Sequence, residues 1–428
     1  MRQRERWLLI AMGALLGAVG VVSFTRAARL RYDFHHFYRD AAYVWQHGRL
    51  NPDFDDPDRT RRRQLPFYLP VVALMLAPLT AGGVTPAALA WTLGHLICLA
   101  YILMVLADWS AARGSRAPPR AALVLAVLVA LPVIYEAARF NQVSFFTLAL
   151  VLGGVTALER GRPVAGGLWL GLAVVLKLLP AIFAIWLALK RQWTALGTLL
   201  VTALVAAVLP CLVVFGPHET AQYHRQWWDY NVQATAARAT ADSRLRSHFI
   251  DHRNQSIAAV VGRLCWSEHP QAVSFQPLKL DERSCRPVAQ MVMLALVLAL
   301  IGLTWRPIPG WRSPQTGDPR RQRFRIEAAT YLLAMLVLSP LLRTYYLVWA
   351  LPALVLLTRF ALDERVRAAQ RLGQIGLAIW LAGMLAWMSA AARSCGVHLI
   401  MSVALGAILL WLARCSSERP ATRLGRIP

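Results

Sequence analysis

FYLPVVALMLAPLTAG, residues Phe67–Gly82, is the stretch on which the topology turns. It is apolar enough to pass for a membrane span, yet counting it as one would move every later basic loop to the opposite side of the bilayer. Pro70, Pro78 and Gly82 all fall within it. A segment broken so often suits an interfacial or re-entrant helix better than a straight crossing. It therefore belongs to a loop, and the rest of the chain can be ordered around that loop.

Around this segment the 428-residue chain is 57% hydrophobic and 16% charged, outside the range of soluble domains and inside that of polytopic membrane proteins. Apolar runs of spanning or near-spanning length lie at about 7–25, 85–107, 121–137, 143–158, 163–177, 179–189, 194–215, 288–305, 326–341, 345–358, 373–391 and 396–413. The expectation is an all-α polytopic membrane protein of about twelve transmembrane helices, forming a single membrane domain over 1–428. Several runs, notably 179–189, fall short of the roughly twenty residues that a straight crossing needs, so they should be buried in protein or sit where the bilayer thins. Trp7–Phe24 follows Arg2, Arg4 and Arg6 without a small-residue cleavage site and reads as an uncleaved first span.

Basic connections at Arg113–Arg120, Glu159–Arg162, Lys190–Arg191, Arg306–Arg325, Arg359–Arg371 and the tail from Arg414 are each separated from the next by two spans, which places all of them inside. Five polar connections then lie outside: the first loop 26–84 with its interfacial helices, the Arg139–Gln142 and Lys177–Pro180 turns, the long loop 216–287, and the Ser339–Tyr346 turn. The first outer loop opposes the rule, with nine Arg between Arg26 and Arg63 offset by six Asp. A net charge of +24 would suggest nucleic acid in a soluble chain, but here the Arg runs punctuate apolar segments and match anionic lipid head groups. The six cysteines show no CxxC spacing, which argues against thiolate metal sites. Cys265 and Cys285 share the long outer loop and could pair there as a disulfide.

The candidate chemistry gathers on the outer side. Arg31-Tyr-Asp-Phe-His-His-Phe-Tyr-Arg-Asp40 is the first polar run after the first span. Asp33 at that membrane edge suits a group that handles a proton near a lipid-borne substrate. Asp40, seven residues on, would share its helix face, while His35 and His36 read equally well as surface or stacked side chains. Asp53, Asp55, Asp56 and Asp58 resemble a divalent-cation patch, but the neighbouring Arg59 and Arg61–Arg63 make a solvated loop the plainer reading, and no metal or cofactor is expected.

Lys177 is one of three lysines among 46 basic residues and ends a span beside Pro180, so it is either a snorkelling anchor or a point charge for a phosphate. Arg343, Tyr345 and Tyr346 follow Ser339-Pro340 in another outer turn, where tyrosines ordinarily belong to the interfacial belt. Arg139, Asn141, Gln142, Asn254 and Gln255 either satisfy backbone groups or bind sugar hydroxyls. Trp227-Trp228 could cover a sugar face or anchor the long loop.

Asp33-x-x-x-Phe37-Tyr38, Gly48, Pro52, Tyr68-x-Pro70, Ala77-Pro78-Leu79, Asn141-Gln142-Val143, Ala165-Gly166, Gly171, Lys177-Leu-x-Pro180, Asn254-Gln255-Ser256 and Ser339-Pro340 together resemble glycosyltransferase family 87 of the GT-C superfamily. The likeness runs from about residue 30 to 355 and is densest over Asn141–Trp193. It implies a GT-C fold and a multi-pass enzyme of a bacterial inner membrane. Such an enzyme moves a hexose or pentose, mannose as a first guess, from a polyprenyl-phosphate donor to a lipid-linked or cell-envelope glycan acceptor on the extracytoplasmic side. The resemblance also implies metal-independent inversion with Asp33 as the general base. Lys177 and Arg343 would then hold the donor phosphate, and His36, Tyr68, Asn141, Gln142, Asn254, Gln255, Tyr345 and Tyr346 would contact sugar or acceptor. The chain departs from the better-known mannosyltransferases of this family at Tyr345-Tyr346, where they carry a His pair. The rival class, a transporter or flippase for a lipid-linked sugar, would carry an internal repeat, and none is evident in the sequence. A structural assembly partner would leave the outer Asp, Lys and Arg residues unexplained.

Overall fold

The structure is a computed structural model that describes residues 3–50, 68–111, 119–229, 231, 251–273, 275–305, 319–363 and 366–417. The Asp53–Asp58 patch, the first part of the 306–325 loop and the middle of the 216–287 loop lie outside the described residues. The fold is all-helical. In chain order the helices are α1 (Gln3–Ala28), α2 (Asp33–His47), α3 (Pro70–Leu76), α4 (Val84–Ser110), α5 (Pro119–Phe140), α6 (Ser144–Glu159), α7 (Pro163–Leu176) and α8 (Ile182–Leu189). There follow α9 (Trp193–Trp228), α10 (Ile257–Cys265), α11 (Glu282–Thr304), α12 (Pro319–Val337), α13 (Leu351–Ala361), α14 (Arg367–Ala386), α15 (Ala390–Ser394) and α16 (Val397–Ser417). Short 3-10 turns at Ala77–Thr80, Leu179–Ala181 and Thr344–Ala350 lead out of α3 and into α8 and α13.

Each of the twelve apolar runs carries helix, but the count of twelve spans needs correction. Among the described residues six helices are long and apolar enough to cross a membrane, or seven if Gly13–Ala28 and Asp33–His47, bent by 53°, are counted as one broken span. The shortfall takes in α6, α7 and α8, which are too short, and also α12 and α14, which are not among the candidate spans. These short helices are packed among neighbours, so their backbone needs no full bilayer crossing of its own. Gly167 and Gly171, one turn apart on α7, let it lie directly on α9: a Cβ at Gly167 would overlap the Ala195 carbonyl, and one at Gly171 would press on Thr202.

α3 and its 3-10 extension cover Pro70–Thr80, eleven residues or about 16 Å of α-helix, roughly half of a hydrocarbon core. Val71, Val72 and Ala77 turn inward onto Phe34 and Phe37 of α2 and Trp91 of α4, while Met75 and Leu79 stay exposed. The pair α2 and α3 thus has the form expected of interfacial helices. The centre of the bundle is the 3-10 turn Thr344–Ala350 with α13, where Leu347, Trp349, Leu351, Leu354 and Leu357 are wholly buried. The outer ring is apolar toward its surroundings, with Val213 of α9 77% exposed and Leu204 66%. That is the pattern of a lipid-facing wall, and the protein is a multi-pass membrane protein.

α9 runs past the expected end of its span at 215 and bends at Gly216, whose φ of 77° only glycine adopts freely, just before Pro217. Its last turns carry Trp227 to the lining of the cavity described below. Cys265 and Cys285 do not pair. Both are buried thiols in one small apolar cluster with Ile257 and Trp266, where they pack as small hydrophobes.

Candidate functional site

The connections expected outside meet around one cavity of about 1610 Å³. The segment between α1 and α4 gives it Asp33, His36 and Tyr68, the turn after α5 gives Gln142, the turn after α7 gives Lys177, and the turn after α12 gives Arg343, Tyr345 and Tyr346. Asp33 opens α2, whose N-terminal cap residue Tyr32 makes no side-chain hydrogen bond to the helix. The Asp33 carboxylate faces the cavity with the surrounding protein holding bulk water away. That desolvation pushes its pKa up to about 7, against the pull of the nearby Lys177 and Arg343 charges. Lys177 ends α7 in an extended conformation. Burial pushes it down to about 7 while the Asp33 charge holds it up.

Among the described residues the Lys177 ammonium has no hydrogen-bond partner. It rests 3.5 Å from the centroid of the Tyr346 ring and 5.3 Å from that of Trp349. Tyr68 donates from its hydroxyl to Oε1 of Gln142 at 3.3 Å and packs against Phe37 with the rings tilted, centroids 4.6 Å apart. Burial and the adjacent Asp33 charge push the Tyr68 phenol far above its ordinary value, so it remains a neutral donor.

Arg343 reaches the cavity but is not free: its Nη1 donates to Oδ2 of Asp251 at 2.9 Å. Burial pushes the Asp251 carboxyl up, yet the Arg253 amide and the Arg343 guanidinium outweigh it and leave Asp251 below the usual carboxylate range. Asn141, Asn254 and Gln255 do not line this cavity, because their polar groups are taken by the framework. Asn141, wholly buried with φ of 53°, accepts from the Ser23 hydroxyl at 2.6 Å and donates to the Ser23 carbonyl at 3.1 Å, tying α5 to α1. Oδ1 of Asn254 accepts from the amides of Ser256 and Leu342, which fixes the turn that carries Arg343. Gln255 donates to the carbonyls of His252 and Arg393, both at 2.6 Å. Their expected sugar contacts are therefore replaced by a structural part.

Several residues at the site were not singled out from sequence. Arg263, wholly buried on α10, donates to the carbonyls of Asp251, Asn254 and Ser394 and so locks the end of the long loop to the α14–α16 connection. Glu136 pairs with Arg139 at 3.0 Å on the cavity wall. It was legible in principle, being a lone carboxylate in the apolar run 121–137. The lining also has an apolar part: Leu128 and Pro132 of α5 and Leu381, Met384 and Leu385 of α14, with Leu385 69% exposed.

The sequence profile of glycosyltransferase family 87 matches residues 67–340, well over half of the chain. The chain belongs to glycosyltransferase family 87. It is a membrane glycosyltransferase, and it is 27% identical over 381 residues to a polyprenol-phosphate-mannose-dependent alpha-(1-2)-phosphatidylinositol mannoside mannosyltransferase of Mycolicibacterium smegmatis, covering 87% of this chain and 76% of that one. The Mycobacterium tuberculosis protein of the same name is 27% identical over 327 residues, covering 74% of this chain and 67% of its own. Among solved structures, ArnT from Cupriavidus metallidurans bound to undecaprenyl phosphate aligns over 94% of this chain and 77% of that one, at 16% identity and a TM-score of 0.39, too distant to place any residue.

Proposed function

We propose that this family 87 enzyme has a GT-C-type fold. It takes a sugar, mannose first among hexoses and pentoses, from a polyprenyl-phosphate donor and passes it with inversion to a lipid-linked or cell-envelope glycan acceptor. The reaction takes place on the extracytoplasmic side of a bacterial inner membrane. One observation carries the reading: Asp33 and Lys177, whose buried ammonium has no hydrogen-bond partner among the described residues, line one cavity together with the apolar side chains of Leu128, Pro132, Leu381, Met384 and Leu385. A polyprenyl phosphate has that same division, an anionic head and a long isoprenoid chain.

In this mechanism Lys177 and Arg343 hold the donor phosphate, which is already a competent leaving group. Asp33, ionised, accepts the proton of the acceptor hydroxyl as that oxygen attacks the anomeric carbon from the face opposite the phosphate. The C–O bond to phosphate breaks and its electron pair leaves on the phosphate. His36, Tyr68, Gln142, Tyr345 and Tyr346 line the space where the sugar must lie, with neutral hydroxyl and amide groups suited to sugar hydroxyls. Arg343 acts with its Asp251 partner retained, so its net charge toward the phosphate is smaller than that of Lys177.

Purified protein is assayed for transfer from a synthetic polyprenyl-phosphate mannose, with polyprenyl-phosphate glucose and arabinose as comparators. Turnover of none of the three donors sinks the donor assignment. Sidedness is read separately by labelling single cysteines in intact cells with a reagent that cannot cross the membrane: Arg253→Cys should react while Ala117→Cys and Thr316→Cys should not. The reverse pattern inverts the topology.

A further inference from the structure

The residue before Asp33 is held in a way that the chemistry described so far does not use. Tyr32 has φ 57° and ψ −143°, a backbone region that a residue with a Cβ rarely occupies and that persists where surrounding contacts over-determine it. Three neighbours supply such contacts to its ring. The Arg26 guanidinium lies 5.8 Å from the ring centroid and that of Arg139 5.6 Å, and the Phe140 ring packs at 4.6 Å. Arg139 donates from Nη2 to the Tyr32 hydroxyl at 3.2 Å and from Nη1 to Glu136 at 3.0 Å, so the carboxylate on α5 orients the guanidinium that grips the tyrosine. The turn bearing Arg139 is itself pinned to α1 through Asn141 and Ser23.

α1 and α2 meet at a bend of 53°, and no side chain of the cap residue closes the first turn of α2. The direction in which Asp33 leaves the backbone is therefore set by the conformation of Tyr32 rather than by a helix cap. We propose that Glu136, Arg139 and Tyr32 form a positioning clasp that aims the Asp33 carboxylate at the acceptor hydroxyl. This rests on the reading of Asp33 as the base. A proton acceptor works only within hydrogen-bond reach of the proton it removes, and misplacement by about 1 Å is worth roughly 10²-fold in rate. Tyr32, Glu136 and Arg139 line the same cavity as Asp33, and the two terminal nitrogens of Arg139 are engaged by Glu136 and Tyr32.

The test uses full-length enzyme in lipid nanodiscs with a polyprenyl-phosphate sugar donor. Tyr32→Phe keeps the ring and its stacking and loses only the bond to Arg139, and Glu136→Gln leaves a side chain of the same shape. Tyr32→Phe and Arg139→Gln should each lower kcat about tenfold, with donor KM within about twofold and the acid limb of the kcat profile displaced, and Arg139→Lys should recover part of the loss. Glu136→Gln should follow in the same direction by a smaller factor. A kcat within twofold of wild type for both Tyr32→Phe and Arg139→Gln, or a rise in donor KM at constant kcat, overturns the clasp. So does a loss of kcat that merely tracks a falling Tm without rescue by lysine. Asp33→Asn assayed alongside separates the two readings: inactive Asp33→Asn with fully active Tyr32→Phe and Arg139→Gln removes the clasp and leaves the base, whereas an active Asp33→Asn removes the base itself.

Discussion

The ammonium groups of Lys177 and Lys190 are both buried, and each lysine ends an apolar helix, yet their surroundings are opposite. Lys190 lies at the end of the bundle where the basic linkers gather. Its ammonium pairs with Glu327 at 2.7 Å and donates to the Thr304 carbonyl at 2.6 Å, and Glu327 also accepts from Trp186 and Arg323. Nearby, Asp108 and Glu159 are bridged by Arg321 and Arg325. Lys177, at the cavity end, has an aromatic face and the charge of Asp33 but no hydrogen-bond partner among the described residues. Removing an ammonium from water is costly, and a satisfied network such as that of Lys190 offsets much of the cost with close, directional partners. Where the offset is missing within the protein, the charge is positioned to meet something else. The same residue type thus acts as a strut at one end of the molecule and, in the mechanism proposed above, holds the donor phosphate at the other.

The largest effect that would sharpen this contrast is on turnover. Asp33→Asn keeps size and an amide while removing the proton acceptor, so kcat should fall by roughly 10²–10⁴-fold, with donor binding and thermal unfolding close to wild type. A loss of stability in parallel with activity would place Asp33 among the struts.

At the other end, Lys190→Met leaves Glu327 with a reduced set of partners in a buried site. Breaking such a pair typically costs about 3–5 kcal/mol, read as a lower unfolding temperature in detergent. Activity per folded molecule should hold. Lys177→Met should do the reverse, leaving the unfolding temperature equal or higher while donor affinity drops by about 1–3 kcal/mol, from several-fold to about 10²-fold in Kd. If both lysine variants unfold early, the contrast fails.

The mildest perturbation is pH. A carboxyl pushed up to about 7 is protonated below that value and cannot accept a proton, so kcat should decline as pH falls through about 7. An ammonium pushed down to about 7 loses its charge above that value, so donor affinity should weaken as pH rises through it. The two groups titrate as a coupled pair, and the bell they produce belongs to the pair rather than to either residue. Asp33→Asn should abolish the acid limb of kcat while the alkaline loss of donor binding remains. A wild-type profile flat from pH 5.5 to 8.5, measured as kcat and donor Kd, would contradict both shifts.

Much of this molecule is legible in its sequence because the bilayer imposes a one-dimensional rule. Long apolar runs must become helices, basic linkers must share a side, and Pro70, Pro78 and Gly82 keep Phe67–Gly82 from crossing. That rule assigned the connections carrying Asp33, Tyr68, Gln142, Lys177, Arg343, Tyr345 and Tyr346 to one side, and the structure brings these residues to one cavity from four separate connections. It could not tell how many of the runs are full crossings, since α6, α7 and α8 are stabilised by neighbours rather than by length. Nor could it assign partners. Asn141, Asn254 and Gln255 look as much like sugar ligands as Gln142 does, and only the packed structure shows that Ser23, Leu342, His252 and Arg393 take up their polar groups.

The sequence by itself therefore determined the all-helical membrane architecture, and it singled out Asp33 and Lys177, which the structure brings to one cavity. The periodicity, charge bias and composition that encode these are local, additive quantities. The tertiary structure alone decided which buried charges are paired, that Arg343 is shared with Asp251, and that Tyr32 holds a positive φ against Arg139. Those facts depend on contacts between residues 92 and 107 positions apart in the chain, and on hydrogen-bond geometry that has no signature in the spacing of residue types.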